Sequence, residues 1–211
     1  IHSYDAQALE YNSTLLSLSL GANDVGIEGT SLLAHALSTN HTLTHLTLAD
    51  NNIGAEGASA LANILTHNTT LTNLDLSWTH MGDGGAKEWA MTLQKNSTLR
   101  ELYLNNNDIG AEGATLLAGA LMLNETLTTL HLERNDIGDV GAFELAEAVQ
   151  HSTHLKELNL DGCGIGRNGE LALQEAILER HARIVILGMD LGHDNEVDGH
   201  MQSNDLYDHF F

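Results

Sequence analysis

Leu99-Arg-Glu-Leu102-Tyr-Leu104-Asn-Asn-Asn107-Asp-Ile109-Gly110 is the stretch from which the rest of the chain can be read. Leu102 and Leu104 alternate with Glu101 and Tyr103, the period of a strand with one buried face. The trio Leu99, Leu102, Leu104 stands between identical trios, Leu71, Leu74, Leu76 before it and Leu127, Leu130, Leu132 after it. Further out come Leu43, Leu46, Leu48, then Leu15, Leu18, Leu20 on one side, and Leu155, Leu158, Leu160 on the other. Every step is 28 residues, and a fixed period of that size marks a stacked repeat array.

The other columns of the repeat give each unit its shape. Five residues after the second leucine stand Asn23, Asn51, Thr79, Asn107, Asn135 and Cys163, small groups able to satisfy turn backbone. Two residues on is an apolar plug: Val25, Ile53, Met81, Ile109, Ile137 and Ile165. Two glycine columns follow, beginning at Gly26 and Gly29, where turn angles or close backbone approach are expected. Apolar residues then recur four apart, as in Leu61 and Leu65 or Trp89 and Leu93, which predicts a helix with one buried face and places Trp89 in the core. Strand, turn and helix cannot bury their own apolar faces, so neighbouring units share one continuous core.

The pattern Leu-x-x-Leu-x-Leu-x-x-Asn/Cys-x-Ile-Gly at a 28-residue period resembles the ribonuclease-inhibitor subclass of leucine-rich repeats, over about residues 5 to 190. That resemblance implies an α/β solenoid or horseshoe, with a parallel β-sheet on the concave face and α-helices on the convex face. The subclass includes the sensing domains of NLR receptors, the Ran GTPase-activating protein and bacterial effectors delivered into host cells. Residues 1–190 are expected to form the repeat domain and residues 191–211 an acidic tail or cap. Ala6 and Leu9 align with Ala34 and Leu37, so the chain opens inside a repeat's helix. Residues Ile184 to Met189 predict a seventh strand, one residue out of step.

Composition narrows the partners. Eight basic against 29 acidic residues give a net charge of −21, which repels nucleic acid and anionic lipid and favours a basic or amphipathic protein. No apolar run approaches the roughly 18 residues that a spanning helix needs, and no segment resembles a signal peptide, although the first residue is not Met. Cys163 is the single cysteine, so no internal disulfide forms and a reducing cytoplasm, the cell's own or a host's, is the easier reading. Oligomeric state is open. An uncapped first repeat would invite end-to-end association.

Stacking lines equivalent strand positions in rows across the concave face. The central row reads Ser19, Thr47, Asp75, Tyr103, His131, Asn159, and a neighbouring row reads Ala22, Asp50, Trp78, Asn106, Arg134, Gly162. Aromatics and arginine dominate interface energies. Trp78, Tyr103, His131 and Arg134, with Asp75, Arg100, Glu101 and Glu133 around them, are therefore the expected protein-binding site. The alternatives are ordinary solvated side chains, or a Trp78 folded back on the repeat edge.

Other motifs have plainer readings. Asn-x-Ser/Thr sequons at Asn12, Asn40, Asn68, Asn96 and Asn124 recur once per repeat, where Asn can take left-handed angles and hold a turn, so they are read as structural rather than glycosylated. Cys163 lies in the asparagine column and is read as a packed thiol. Asp194, Glu196, Asp198 and Asp205 partly fit a calcium loop, but with Glu at its third position and a short Asp at its twelfth. A solvated acidic tail or cap is the preferred reading there. No nucleophile with a paired base and no phosphate-cradling loop is evident, so the expected function is binding rather than catalysis. The alternative, implied by the resemblance, is GTPase regulation like that of the Ran activator.

Overall fold

The computed structural model describes residues 3–180 and 184–188. A helix α1 (Ser3–Tyr11) precedes six strand-helix units: β1 (Ser17–Ser19) and α2 (Gly26–Thr39), β2 (His45–Thr47) and α3 (Gly54–Leu65), β3 (Asn73–Asp75) and α4 (Gly82–Leu93), β4 (Glu101–Tyr103) and α5 (Ala111–Leu121), β5 (Thr129–His131) and α6 (Gly138–His151), β6 (Glu157–Asn159) and α7 (Arg167–Glu179). A last strand, β7 (Val185–Leu187), completes one parallel sheet in sequence order. The register repeats every 28 residues, with Leu18, Leu46, Leu74, Leu102, Leu130 and Leu158 side by side. The leucine columns, the plugs and the inner helix faces merge into a single core between sheet and helices, except that Leu15, at the open first repeat, is exposed and Leu18 and Leu20 are only partly buried.

The seventh strand departs from expectation. It pairs in step, Glu157 with Val185 and Leu158 with Ile186, rather than one residue out. The backbone ladder imposes this: Val185 N–H donates to Lys156 O at 2.8 Å, and Leu160 N–H to Leu187 O at 3.0 Å. The residue in the third-leucine position is then Gly188, whose φ is 81° and where a Cβ would lie 2.2 Å from the Asp161 backbone. The residues beyond, including the calcium-loop candidates Asp194, Glu196, Asp198 and Asp205 and the proposed cap, lie outside the described residues.

Two asparagine ladders tie consecutive repeats together. In the first, the side-chain N–H of Asn51, Asn107 and Asn135 donates to Leu20, Leu76 and Leu104 O, each 31 residues back. The Asn135 carbonyl accepts Asn107 and Ile109 N–H at 3.0 Å each, while that of Asn107 accepts Thr79 N–H and its hydroxyl at 2.9 Å. Cys163 takes the same place by donating from Sγ to Leu132 O. In the second ladder, the sequon residues Asn40, Asn68, Asn96 and Asn124 donate to Leu9, Leu37, Leu65 and Leu93 O in the last turns of the preceding repeats' helices. These are carbonyls that a helix end leaves without an internal partner. Each Asn Oδ1 also accepts the backbone N–H groups two and three residues on. The amide nitrogens at these four sites are thus already engaged. Their backbone is not left-handed as expected: Asn40 is extended at φ −77°, and the positive angles fall in the turn columns of Asp50 and Asp108.

Helix packing explains the second glycine column. A Cβ at Gly141 would stand 2.4 Å from Ile137 Cγ2 and 2.9 Å from Ala114 Cβ, so glycine lets α6 close on both its own plug and α5. The first column is mixed. Gly82 has φ +58°, yet Gly110 lies at −95°, because its N–H turns to the Asp83 carboxylate at 2.7 Å. Asp83 also accepts Gly113 N–H, so a side chain from one repeat caps the helix of the next. Trp89 is fully buried as expected, with its indole N–H unpaired among the described residues.

The ladder makes a graded prediction. Asn107→Ala orphans buried groups of two repeats, each worth about 1–3 kcal/mol, and should lower the urea midpoint markedly. Asn23→Ala, at the exposed start of the same column, should change stability by less than about 0.5 kcal/mol.

Candidate functional site

The concave face is built from residues that alternate with the leucines, and its central row follows the expected register through Thr47, Asp75, Tyr103, His131 and Asn159. Beside it runs the row Ser17, His45, Asn73, Glu101, Thr129, Glu157, the other outward position of each strand. The row of Ala22, Asp50, Trp78, Asn106 and Arg134 lies past the strand ends instead. All five residues are left-handed, with φ between 52° and 59°, and form a rim where the backbone ladder turns away from the sheet.

At mid-array the side chains interlock. The rings of Tyr103 and His131 meet edge to face, with centroids 4.8 Å apart at 69°. Tyr103 donates its hydroxyl to Glu101 Oε2 at 2.9 Å. His131 Nε2 lies 2.9 Å from Glu157 Oε1, and Nδ1 lies 3.5 Å from Glu133 Oε1. Asn159 donates to that same Glu133 oxygen at 2.6 Å. The second carboxylate oxygen of Glu133 is buried and has no partner among the described residues. An unpaired buried acceptor is costly and is a ready receiver for an incoming donor.

The expected residues divide into groups. Tyr103, His131 and Glu133 belong to the cluster just described. Asp75 is occupied one strand away, accepting from Thr47 Oγ1 and from the Ser77 hydroxyl and N–H. Arg100 and Arg134 are exposed, and neither guanidinium has a hydrogen-bond or ionic partner among the described residues. Trp78 is 48% exposed rather than folded onto the repeat edge. It opens on a separate depression of about 490 Å³, lined by Ala22, Asp24, Asp50, Asn51, Asn52, Trp78 and His80.

Glu157 and Asn159 are partners that row-by-row reading undervalues. Both contacts are diagonal: His131 to Glu157 and Glu133 to Asn159 each span 26 residues, the repeat length less one strand alternation. Testing that spacing in the sequence would have found them.

Cys163 is buried, and desolvation pushes its thiol up to about 11, against use as a nucleophile. Among the described residues, no group of three or more His, Cys, Asp or Glu side chains is arranged to hold a metal ion. No described helix is long and apolar enough to cross a membrane.

Burial, followed by the hydrogen bond to Glu101 and the surrounding carboxylates, raises the Tyr103 hydroxyl to about 12. Its folded value exceeds the ordinary value of 10.0, so its stabilising contribution is complete below pH 10 and is lost as pH rises towards 12. Ultraviolet titration should show a tyrosine ionising near 12 that disappears in Tyr103→Phe. Ionisation near 10 would contradict the cluster.

A leucine-rich repeat family model matches residues 39–62, 67–88, 95–118, 123–146 and 151–173. No curated protein matches the chain significantly in sequence. Among solved structures, actin-binding site 2 of leiomodin-1 matches with a TM-score of 0.57 and 18% identity, covering 83% of this chain and 87% of that one. The tropomodulin C-terminal domain of Caenorhabditis elegans matches with a TM-score of 0.52 and 11% identity, covering 83% and 92%. At these identities the likeness to the solved structures is one of fold. The five matched repeats span more than half of the sequence, and the chain belongs to the leucine-rich repeat family.

Proposed function

We propose that the concave sheet binds a protein or peptide partner with a basic surface, centred on Tyr103 and His131 and flanked by Asp75, Arg100, Glu133, Arg134 and Trp78. The observation that carries this reading is the Tyr103–His131 ring pair on the open sheet, held by Glu101, Glu133 and Glu157, with one buried Glu133 oxygen left without a partner among the described residues. Rings fixed by their own neighbours lose little freedom on binding, which makes them good anchors. The net charge of −21 steers basic partners and repels acidic ones.

The neighbour solved as an actin-binding site of leiomodin-1 supports this reading through its fold alone. An adaptor, a host-directed effector and an intracellular receptor fragment are all settings in which such an array operates as a binding module rather than a catalyst. Residues 1–190 form the proposed array, and 191–211 its acidic tail or cap. GTPase regulation, the alternative, is separated by single-turnover GTP hydrolysis with added GTPases, where no acceleration is expected.

The decisive measurement is capture from a cell lysate by the wild-type chain, by Tyr103→Ala/His131→Ala, and by Phe143→Ala, which removes an exposed ring from α6. Central anchors of this kind each contribute upwards of about 2 kcal/mol. A partner retained by the wild type and by Phe143→Ala should be lost from the double variant, provided circular dichroism shows both variants folded. Equal retention by all three chains would move the site off the concave face.

A further inference from the structure

Trp78 has a setting that the central cluster does not share. It and Asp50 hold equivalent positions in consecutive repeats, with φ of 59° and 56°. Asp50 N–H donates to Ser77 O at 2.9 Å and Trp78 N–H to Asn105 O at 2.8 Å, so both residues continue the parallel ladder onto the rim. Neighbours on such a ladder stand roughly 5 Å apart. An indole and a carboxylate therefore leave the backbone side by side at the mouth of the depression of about 490 Å³, where Asp24 supplies a second carboxylate. Among the described residues neither the Asp24 nor the Asp50 carboxylate has a hydrogen-bond or ionic partner. His80, the other ring in the lining, is engaged with Asp108 at 3.0 Å.

The charge around this depression is one-sided. Residues 1–86 contain eight Asp and Glu and no Lys or Arg, the first basic residue being Lys87. No internal lysine or arginine of these repeats competes for the carboxylates, and their field favours an incoming cation.

We propose that the depression is a subsite for an arginine side chain of the partner, an inference that rests on the concave-face reading and names the partner's chemistry at its rim. A guanidinium is planar. It can lay its face on the indole, the ring that attracts cations most strongly, while its edge donates paired N–H bonds to Asp50 or Asp24. A lysine ammonium is a compact, strongly hydrated point charge that gains less from a flat ring. A single indole also lacks the surrounding walls with which aromatic cages hold quaternary ammonium groups.

The test uses the full chain, labelled with nitrogen-15, at low salt. It is titrated with the blocked peptide acetyl-Gly-Arg-Gly-Arg-Gly-amide and with the same peptide carrying lysine. The two tryptophans give two indole N–H resonances, one from the rim and one from buried Trp89, assigned by Trp78→Phe. The arginine peptide should shift the Trp78 signal, leave that of Trp89 in place and bind several-fold more tightly than the lysine peptide. Trp78→Ala should weaken it roughly five-fold or more, and Asp50→Asn, which suits the left-handed backbone, roughly ten-fold. Glu144→Gln, at an exposed site on α6, should leave binding unchanged.

The proposal is overturned if the arginine peptide leaves the Trp78 signal unmoved, if arginine and lysine bind alike, or if Glu144→Gln weakens binding as much as Asp50→Asn. The last result would assign the attraction to net charge alone. No partner is present in this assay, so its failure leaves the Tyr103–His131 reading standing. Partner capture by the Tyr103→Ala/His131→Ala variant tests that reading independently.

Discussion

The structure depends on side-chain amides that reach back into the preceding repeat. Asn107 shows the geometry: its N–H group donates to Leu76 O, 31 residues earlier, and its carbonyl accepts from Thr79. Strands of three residues expose much irregular backbone to a dry core, where each unpaired group would cost about 1–3 kcal/mol. Asparagine offers a donor and an acceptor on a short stem, so one side chain satisfies both repeats at once. Asn124 and its equivalents do the same at the opposite end of the strand, using the last-turn carbonyl of a neighbouring helix. The helices and strands are thereby locked to one spacing, and the leucine columns fill the space between them.

That rigidity has a functional consequence. With backbone positions fixed by the ladders, the outward positions of the strands can vary without disturbing the fold, and they do: the central row runs from Ser19 through Tyr103 and His131 to Asn159. The cluster at its middle draws on adjacent strands, through contacts both across and along the array. No single repeat could assemble it. The rim obeys a different constraint, since its left-handed backbone carries Trp78 and Arg134 clear of the sheet and keeps Trp78 half exposed.

The two regions offer different chemistry. Around Tyr103 each carboxylate is engaged by a ring, hydroxyl or amide partner, and the second oxygen of Glu133 is buried with none among the described residues. Around Trp78 the carboxylates of Asp24 and Asp50 are uncommitted among the described residues, and the other ring of the lining, His80, is held by Asp108. The first region is pre-organised for shape, the second for charge.

The sequence by itself determined the solenoid, the order and register of six strands, the core residues down to Trp89 with the exception of Leu15 in the open first repeat, and the central row, because each follows from a strict 28-residue period and from alternation with leucine. It also identified the sequons as structural, since a position repeated in every unit serves the repeat. Only the tertiary structure decided what depends on neighbours in space. It brought Val185 into step, because ladder hydrogen bonds outweigh a side-chain pattern that lacks the third leucine. It moved the left-handed angles from the sequons to the rim, where the chain leaves the sheet. It separated Trp78 from Tyr103, since a turn and a strand project side chains in different directions, and it joined His131 to Glu157 across a diagonal that a row-by-row reading does not follow.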